Sequence, residues 1–283
     1  MGAVLFGREY ELRFGLPGQE GVSLRGGVDP DTGYTVGYDL SFSVSKTAKR
    51  SSNKATITVH NLSADQIGLL EEKGTVIQLI AGYPGNAALI FSGKVTKGGV
   101  KSEWVDGKTR TTTIEAGDAE LEMAKTRANL SLASGATNHD ALRALLKAMG
   151  VGEGNLSDVP VRTLLGGFYH AGWAREAITQ LCDDTGFDWS LQDGEFQALA
   201  PSAVRAGVEA VLLNEMTGLI GSPKREKTGV TADSLLQPKL APGGLVRVEA
   251  RDFAGDYKIT EVTHAGEFPR GGWVSNVKGK ARE

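Results

Sequence analysis

Alternation of apolar with polar residues, cut at short intervals by proline and glycine, constrains this chain more than any other feature. It is densest over residues 217–267. There Val246, Val248 and Ala250 share one face of an extended segment, and Tyr257 and Ile259, with Val262 beyond them, share another. This is the pattern of half-buried strands. Pro238, Pro242 and the paired Gly243 and Gly244 exclude helix across the middle and place the turns. Ahead of them the apolar run 218–221 meets Ser222-Pro223, and a charged patch, Lys224-Arg225-Glu226-Lys227, follows. Strands held at fixed spacing by turns suit a scaffold better than an active site.

The first 118 residues carry the same signal. Tyr10, Leu12 and Phe14 fall opposite Glu9, Glu11 and Arg13, which predicts a strand with one wet face. Asp29-Pro30-Asp31-Thr32-Gly33 reads as a turn, because proline presets φ and glycine permits its reversal. Leu40, Phe42 and Val44 open another strand, residues 46–54 read as a polar, basic connection, and Ala55, Ile57 and Val59 resume the alternation. Ser63 is placed to cap a helix over 64–72, with Gly74 suited to ending it. Residues 76–83, 89–95 and 111–115 predict three more strands, with turns at Pro84-Gly85-Asn86 and at the hairpin signal Asp106-Gly107.

Between these β-patterned ends the period changes. Thr137-Asn138-His139-Asp140 resembles a capping box, with Asp in place of the usual Glu. Leu142, Leu145, Leu146 and Met149 form the stripe of the helix it opens, and Gly150 stops it. A second helix over 174–185 would bury Ala174, Ala177, Ile178, Leu181 and Cys182. Phe187, Trp189 and Leu191 then alternate into the turn Asp193-Gly194, and Phe196, Ala198 and Ala200 return from it. The expected fold is mainly β with an α/β insert. It divides into a first β unit over 1–118, a small inserted α/β module over 119–200 and a second β unit over 201–283, with residues 218–223 read as the link that joins it to the module. A short similarity supports the division: residues 90–95, a glycine-containing loop, Trp104 and strand 111–115 have a counterpart in residues 255–259, a glycine-containing loop, Trp273 and strand 274–277.

Composition narrows the function classes. At 283 residues, 40% hydrophobic and 23% charged, the chain is long enough for two or three folded domains. Its 38 glycines without a collagen-like period point to turns and bulges. Cys182 is the single cysteine, so no intrachain disulfide or multi-cysteine zinc site forms, which fits assembly in a reducing cytoplasm. Residues 3–6 are too short an apolar core for a signal peptide, and no run reaches the roughly 18 apolar residues of a membrane helix. The net charge of −3 is unevenly spread: 1–118 balance thirteen basic against thirteen acidic residues, 119–200 are net −5 and 201–283 net +2. No segment has the basic excess of a dedicated nucleic-acid binder.

Residues able to do chemistry do not assemble into a motif. His60, His139, His170 and His264 lack metal-pair spacing; the first lies at a strand end, the second in a cap, and the last two beside glycines in expected turns. Residues 82–85 form a turn rather than a phosphate cradle, because no Lys-Ser/Thr or helix cap follows. Asp183-Asp184 and Glu71-Glu72 read as solvated pairs, and Cys182 as a buried inert thiol. Trp104, Trp173, Trp189 and Trp273 could stack on glycans if exposed, though Trp189 alternates with apolar residues and reads as core. We expect no catalytic residue, metal ligand or cofactor site, and no enzyme.

The whole pattern resembles the baseplate hub proteins of contractile-tailed bacteriophages and their Mu-like and prophage relatives. The residues that carry the resemblance are Phe42-Ser43-Val44-Ser45-Lys46, residues 55–63, Ala81-Gly82-Tyr83 leading to Ile90-Phe91-Ser92-Gly93, residues 218–223, Gly229-Val230, residues 235–238, Pro242-Gly243 and residues 255–259. It extends over roughly residues 40 to 280 and lies in strands, turns and spacings. The resemblance implies two tail-tube-like β-barrel domains flanking the α/β module, and a homotrimer whose six barrels form a pseudo-sixfold ring. Such a ring would adapt a sixfold tail tube to a threefold central spike and line a channel that holds passing DNA only weakly. The implied partners are the tail tube protein, the spike protein, and the tape-measure and baseplate wedge proteins. The implied location is the virion tail baseplate, assembled in the host cytoplasm, without membrane insertion. Two other classes fit the same sequence: a distal tail or tube-initiator protein, and a glycan-binding or hydrolytic tail module.

Overall fold

The computed structural model describes residues 7–118, 125–206 and 209–281, so the apolar run 3–6 lies outside them. In chain order the elements are β1 (Glu9–Gly15), β2 (Val22–Val28), β3 (Thr35–Val36), β4 (Leu40–Thr47), β5 (Lys54–His60), α1 (Ala64–Glu71), β6 (Val76–Gly82), β7 (Ala88–Val105), β8 (Thr109–Gly117) and β9 (Arg127–Leu132). There follow α2 (Asn138–Met149), β10 (Phe168–Trp173), α3 (Ala174–Asp183), β11 (Asp188–Gln192), β12 (Glu195–Leu199), β13 (Val211–Leu213), β14 (Leu219–Arg225), β15 (Gly229–Leu235), β16 (Leu245–Glu249), β17 (Ala254–Phe268) and β18 (Trp273–Ala281). The protein is mainly β with an α/β insert.

Local chemistry accounts for the helices. Ser63 and Gln66 close a capping box on α1, Thr137 and Asp140 close another on α2, and Gly150 ends α2 at φ +68°. The buried face of α3 is Ala174, Ala177, Ile178, Leu181 and Cys182, as the periodicity predicts. Both predicted two-residue hairpin turns have left-handed backbone at each position, with φ +52° and +65° at Asp106-Gly107 and +55° and +87° at Asp193-Gly194.

One sheet runs through both β-patterned ends in the order β14-β15-β18-β17-β4-β5-β8-β7-β6-β1-β2-β3, with β16 also on β17 and β13 on β16. Within it the order β4-β5-β8-β7-β6-β1 is matched by β14-β15-β18-β17-β16-β13. The similarity read from residues 90–115 and 255–277 is thus part of a longer structural repeat. The copies differ in that α1 joins β5 to β6 whereas a loop joins β15 to β16, and β13 runs parallel to β16 whereas β1 is antiparallel to β6. Two readings of the sequence are corrected. Residues 218–223 are not a link from the module, because residues 219–225 form strand β14. The tryptophans of the repeat do not correspond, since Trp104 precedes its hairpin turn and Trp273 follows its own.

Strand β17 fuses the two halves. Its first part pairs with β16, and beyond a register shift between Ile259 and Glu261 it pairs with β4, from Glu261 opposite Thr47 to Phe268 opposite Leu40. The shift inverts the alternation, so Tyr257 and Ile259 are buried before it, and Val262, His264 and Phe268 after it. That is why Val262 falls out of strict period in the sequence. Three buried clusters result. One collects β1, β2, β4–β8 and α1, a second the module with α2 and α3, and a third β13 and β15–β18. Leu236, Phe268 and Trp273 belong to the first cluster although they lie far along the chain.

His264 is in mid-strand rather than in the expected turn, because the shifted register turns it inward. It is fully enclosed: Nδ1 lies 2.8 Å from Ser275 Oγ and Nε2 3.2 Å from the Leu240 carbonyl. Of the two neutral tautomers, only the one protonated at Nε2 satisfies both partners, with Ser275 donating to Nδ1. Burial, with the Lys46 charge adding to it, pushes this imidazole down to about 3. The folded value lies below the unfolded value of about 6.5. The contribution is therefore intact above pH 6.5 and is lost as pH falls toward 3. In urea titrations at stepped pH, the stability difference between wild type and His264→Gln should be constant above pH 6.5 and should shift against wild type below it. A pH-independent difference would contradict this assignment.

Candidate functional site

Among the described residues, no three His, Cys, Asp or Glu side chains gather to hold a metal ion. His60 lies 3.1 Å from Thr111 Oγ1 at the end of β5, and His139 is buried with Nε2 2.7 Å from the Val159 carbonyl. His170 is on β10 rather than in a turn, with Nε2 3.1 Å from the Trp173 carbonyl. Residues 82–85 make the expected turn, closed by Asn86 N–H donating to the Tyr83 carbonyl at 2.8 Å. Glu71 and Glu72 are exposed. Cys182 is buried, and burial pushes its thiol up to about 12. Trp189 and Trp273 are core residues, Trp173 is half-buried beneath the Arg127 guanidinium, and Trp104 is 64% exposed.

The first notable constellation is a buried polar joint between the module and the first β unit. Asn53, 1% exposed, is its centre. Its Oδ1 accepts from Thr47 N–H at 2.8 Å, while its two amide hydrogens are shared among Asp118 Oδ2 at 2.6 Å, the Leu191 carbonyl at 3.0 Å and Gln192 Oε1 at 3.0 Å. Gln192 returns a hydrogen bond to the Thr47 carbonyl at 2.8 Å. Asp193, at the tip of the β11–β12 hairpin, accepts from Lys46 Nζ at 2.5 Å and from Ser92 N–H at 3.0 Å. Its own N–H donates to Asp118 at 3.3 Å. Burial pushes the Asp118 carboxyl up to about 6 although Asn53 and Ser52 donate to it. Outside this centre Arg50 grips Asp183.

Sequence reasoning missed this joint. Residues 46–54 read as an open polar connection and Asp183 as solvated. Lys46 in fact continues the inward face of Leu40, Phe42 and Val44, and that phase was the available signal. The joint holds the turn of the inserted hairpin against the first β unit by charge and hydrogen bonds in a site shielded from water. It fixes relative orientation.

The second constellation is on the surface. Strand β7 bends at a register shift between Val95 and Val100. Past it β7, among the described residues, pairs with β8 alone, ending in exposed Trp104 and Val105 with the Arg110 guanidinium 5.9 Å from the Trp104 ring centre. Strand β14, again among the described residues, is bonded only to β15, with Ile220 exposed and Met216, 93% exposed, just before it. These are two free edges of one sheet, each bearing apolar side chains, as an assembly subunit requires and an isolated domain avoids.

No family model matches the chain, and no curated protein matches it in sequence. Solved structures do. The tail protein from Neisseria meningitidis MC58 is similar with a TM-score of 0.62 and 10% identity, covering 97% of both chains. The 43 kDa tail protein of prophage MuSo2 from Shewanella oneidensis is similar with a TM-score of 0.61 and 10% identity, over 97% of this chain and 98% of that one. An E. coli component of the type VI secretion system, described as structurally similar to the T4 bacteriophage tail proteins gp27 and gp5, is similar with a TM-score of 0.58 and 11% identity, over 95% of this chain and 77% of that one. At such identities the likeness is one of fold: this chain has the β-rich fold of phage tail proteins and of a type VI secretion component.

Proposed function

We propose that the chain is a structural subunit of a tail baseplate hub and has no catalytic role. Three copies form a ring. In each, two barrel-like units, residues 1–118 and 201–283, flank the module 119–200, so that the ring presents six similar lobes. One side matches a sixfold tail tube and the other a threefold spike, and the central channel passes DNA with little affinity. Tape-measure and wedge proteins contact the periphery, and the assembly resides in the virion tail. The single observation that carries this reading is the repeated strand order: two equivalent six-strand units per chain are what a threefold ring needs to meet sixfold symmetry.

The test is the mass and symmetry of the purified full chain by native mass measurement and electron microscopy. A trimer with six lobes is expected. A hexamer would instead support a distal tail or tube-initiator role, and monomers at every concentration would overturn the ring.

A further inference from the structure

The internal repeat also specifies which edges join one copy to the next. Within the chain, the two units meet where β17, past its register shift, pairs with β4. In the strand order β17 corresponds to β7, and β4 to β14. The counterpart of this internal junction would therefore pair β7, past its own shift, with β14. Among the described residues both strands have that side free. We propose that the junction between copies is an antiparallel pairing of distal β7 of one chain with β14 of the next, a head-to-tail contact that closes the ring. The inference rests on the ring reading above and adds its contact.

The register follows from the strands both units share. Val95 pairs with Ala116, and Ile259 with Gly279, each immediately before the shift. Beyond it Val100 faces Ile114, and Val262 faces Val277. Val100 thus corresponds to Val262, Trp104 to Gly266 and Val105 to Glu267. On the other side Lys54 faces Gly117 and Gly229 faces Lys280. Carrying that register across β5 and β15 makes Leu40 the counterpart of Leu219 and Ser41 of Ile220, the last residues of β14 before its own register shift. Inside the chain Gly266 faces Phe42, and Glu267 faces Ser41. Between copies Val105 would face Ile220.

The side chains fit this assignment. Val105 and Ile220, 46% and 42% exposed in the single chain, would cover one another. Pro223 lacks an N–H and the register shift past Ile220 breaks the strand, so the ladder is limited to the start of β14 and the contact centres on Ile220.

The experiment places cysteines at the facing pair, Val105→Cys with Ile220→Cys, leaving buried Cys182 in place. Mild oxidation of the double variant should give reducible cross-links between copies, in a ladder that ends at the trimer. Mixing the two single variants should give cross-linked dimers, while neither cross-links alone. In parallel, Ile220→Lys should weaken association by at least about tenfold, as loss of a central apolar contact does, with an unchanged unfolding midpoint for the monomer. A trimer by mass that neither cross-links nor responds to Ile220→Lys would overturn this contact and leave the ring standing. Cross-linking by Val105→Cys alone would show a two-fold contact and overturn it as well. Monomers at all concentrations would overturn the ring and this contact together.

Discussion

Trp273→Ala is expected to lower unfolding free energy by about 4 kcal/mol, the cost typical of emptying a large aromatic site in a packed core. Trp273 is 2% exposed, and its ring meets the Phe42 ring edge-on at 5.1 Å between centres. Its indole N–H donates to the Gly82 carbonyl at 3.1 Å, and its own carbonyl accepts from Leu236 N–H at 2.9 Å. The Arg8 guanidinium lies 5.8 Å from its ring centre. Arg8, Phe42 and Gly82, all of the first unit, therefore lose a partner carried by the last strand when this one side chain is cut back. Urea unfolding of the variant should report the loss in a single transition, because the side chain belongs to the first unit's core while its strand belongs to the second. The control is Trp104→Ala, whose exposed ring contributes less than about 0.5 kcal/mol to the isolated chain. Similar losses for the two variants would refute the proposed division between a structural and a surface tryptophan.

The second large effect is expected at the polar joint. Asn53→Ala removes an acceptor from Thr47 N–H and a donor from Asp118, the Leu191 carbonyl and Gln192, all at sites with little access to water. Leaving several buried groups short of a partner should cost about 3 kcal/mol. The loss has a spatial signature that a core cavity lacks. Hydrogen exchange should rise at the β11–β12 turn and around residues 47–53, where the module docks, while the far side of α2 stays protected. Uniform acceleration across the chain would mean that Asn53 supports the fold in general rather than the docking of the module.

Much of this architecture is legible in the sequence because it is set by local chemistry. The capping boxes at Ser63 and Thr137, the stop at Gly150, the turns at Asp106-Gly107 and Asp193-Gly194 and the buried stripe of α3 each depend on residues within one or two turns of chain. What was missed depends on partners far away in sequence. Lys46 is polar by composition and buried only because Asp193, 147 positions later, meets it. His264 reads as a turn residue until the shift at Ile259 is known, since that one step reverses which side chains point inward. Residues 218–223 read as a link because proline and glycine outweigh a short apolar run. On an edge strand, with no second neighbour to donate to, proline is tolerated.

The pairing of β4 with β17 sets an order of events for a chain emerging from the ribosome. Strand β4 waits for a partner more than two hundred residues downstream, and the first unit's core waits for Leu236, Phe268 and Trp273. Until residues 254–281 have been made, the N-terminal half holds one long strand edge and an unfilled apolar core, the kind of surface that nascent chains shield with chaperones. Closure over so large a separation is entropically slow. A growing chain halted after the module would thus be left with a completed helical core beside an open sheet, and the last hairpin to be translated would lock its earliest strands.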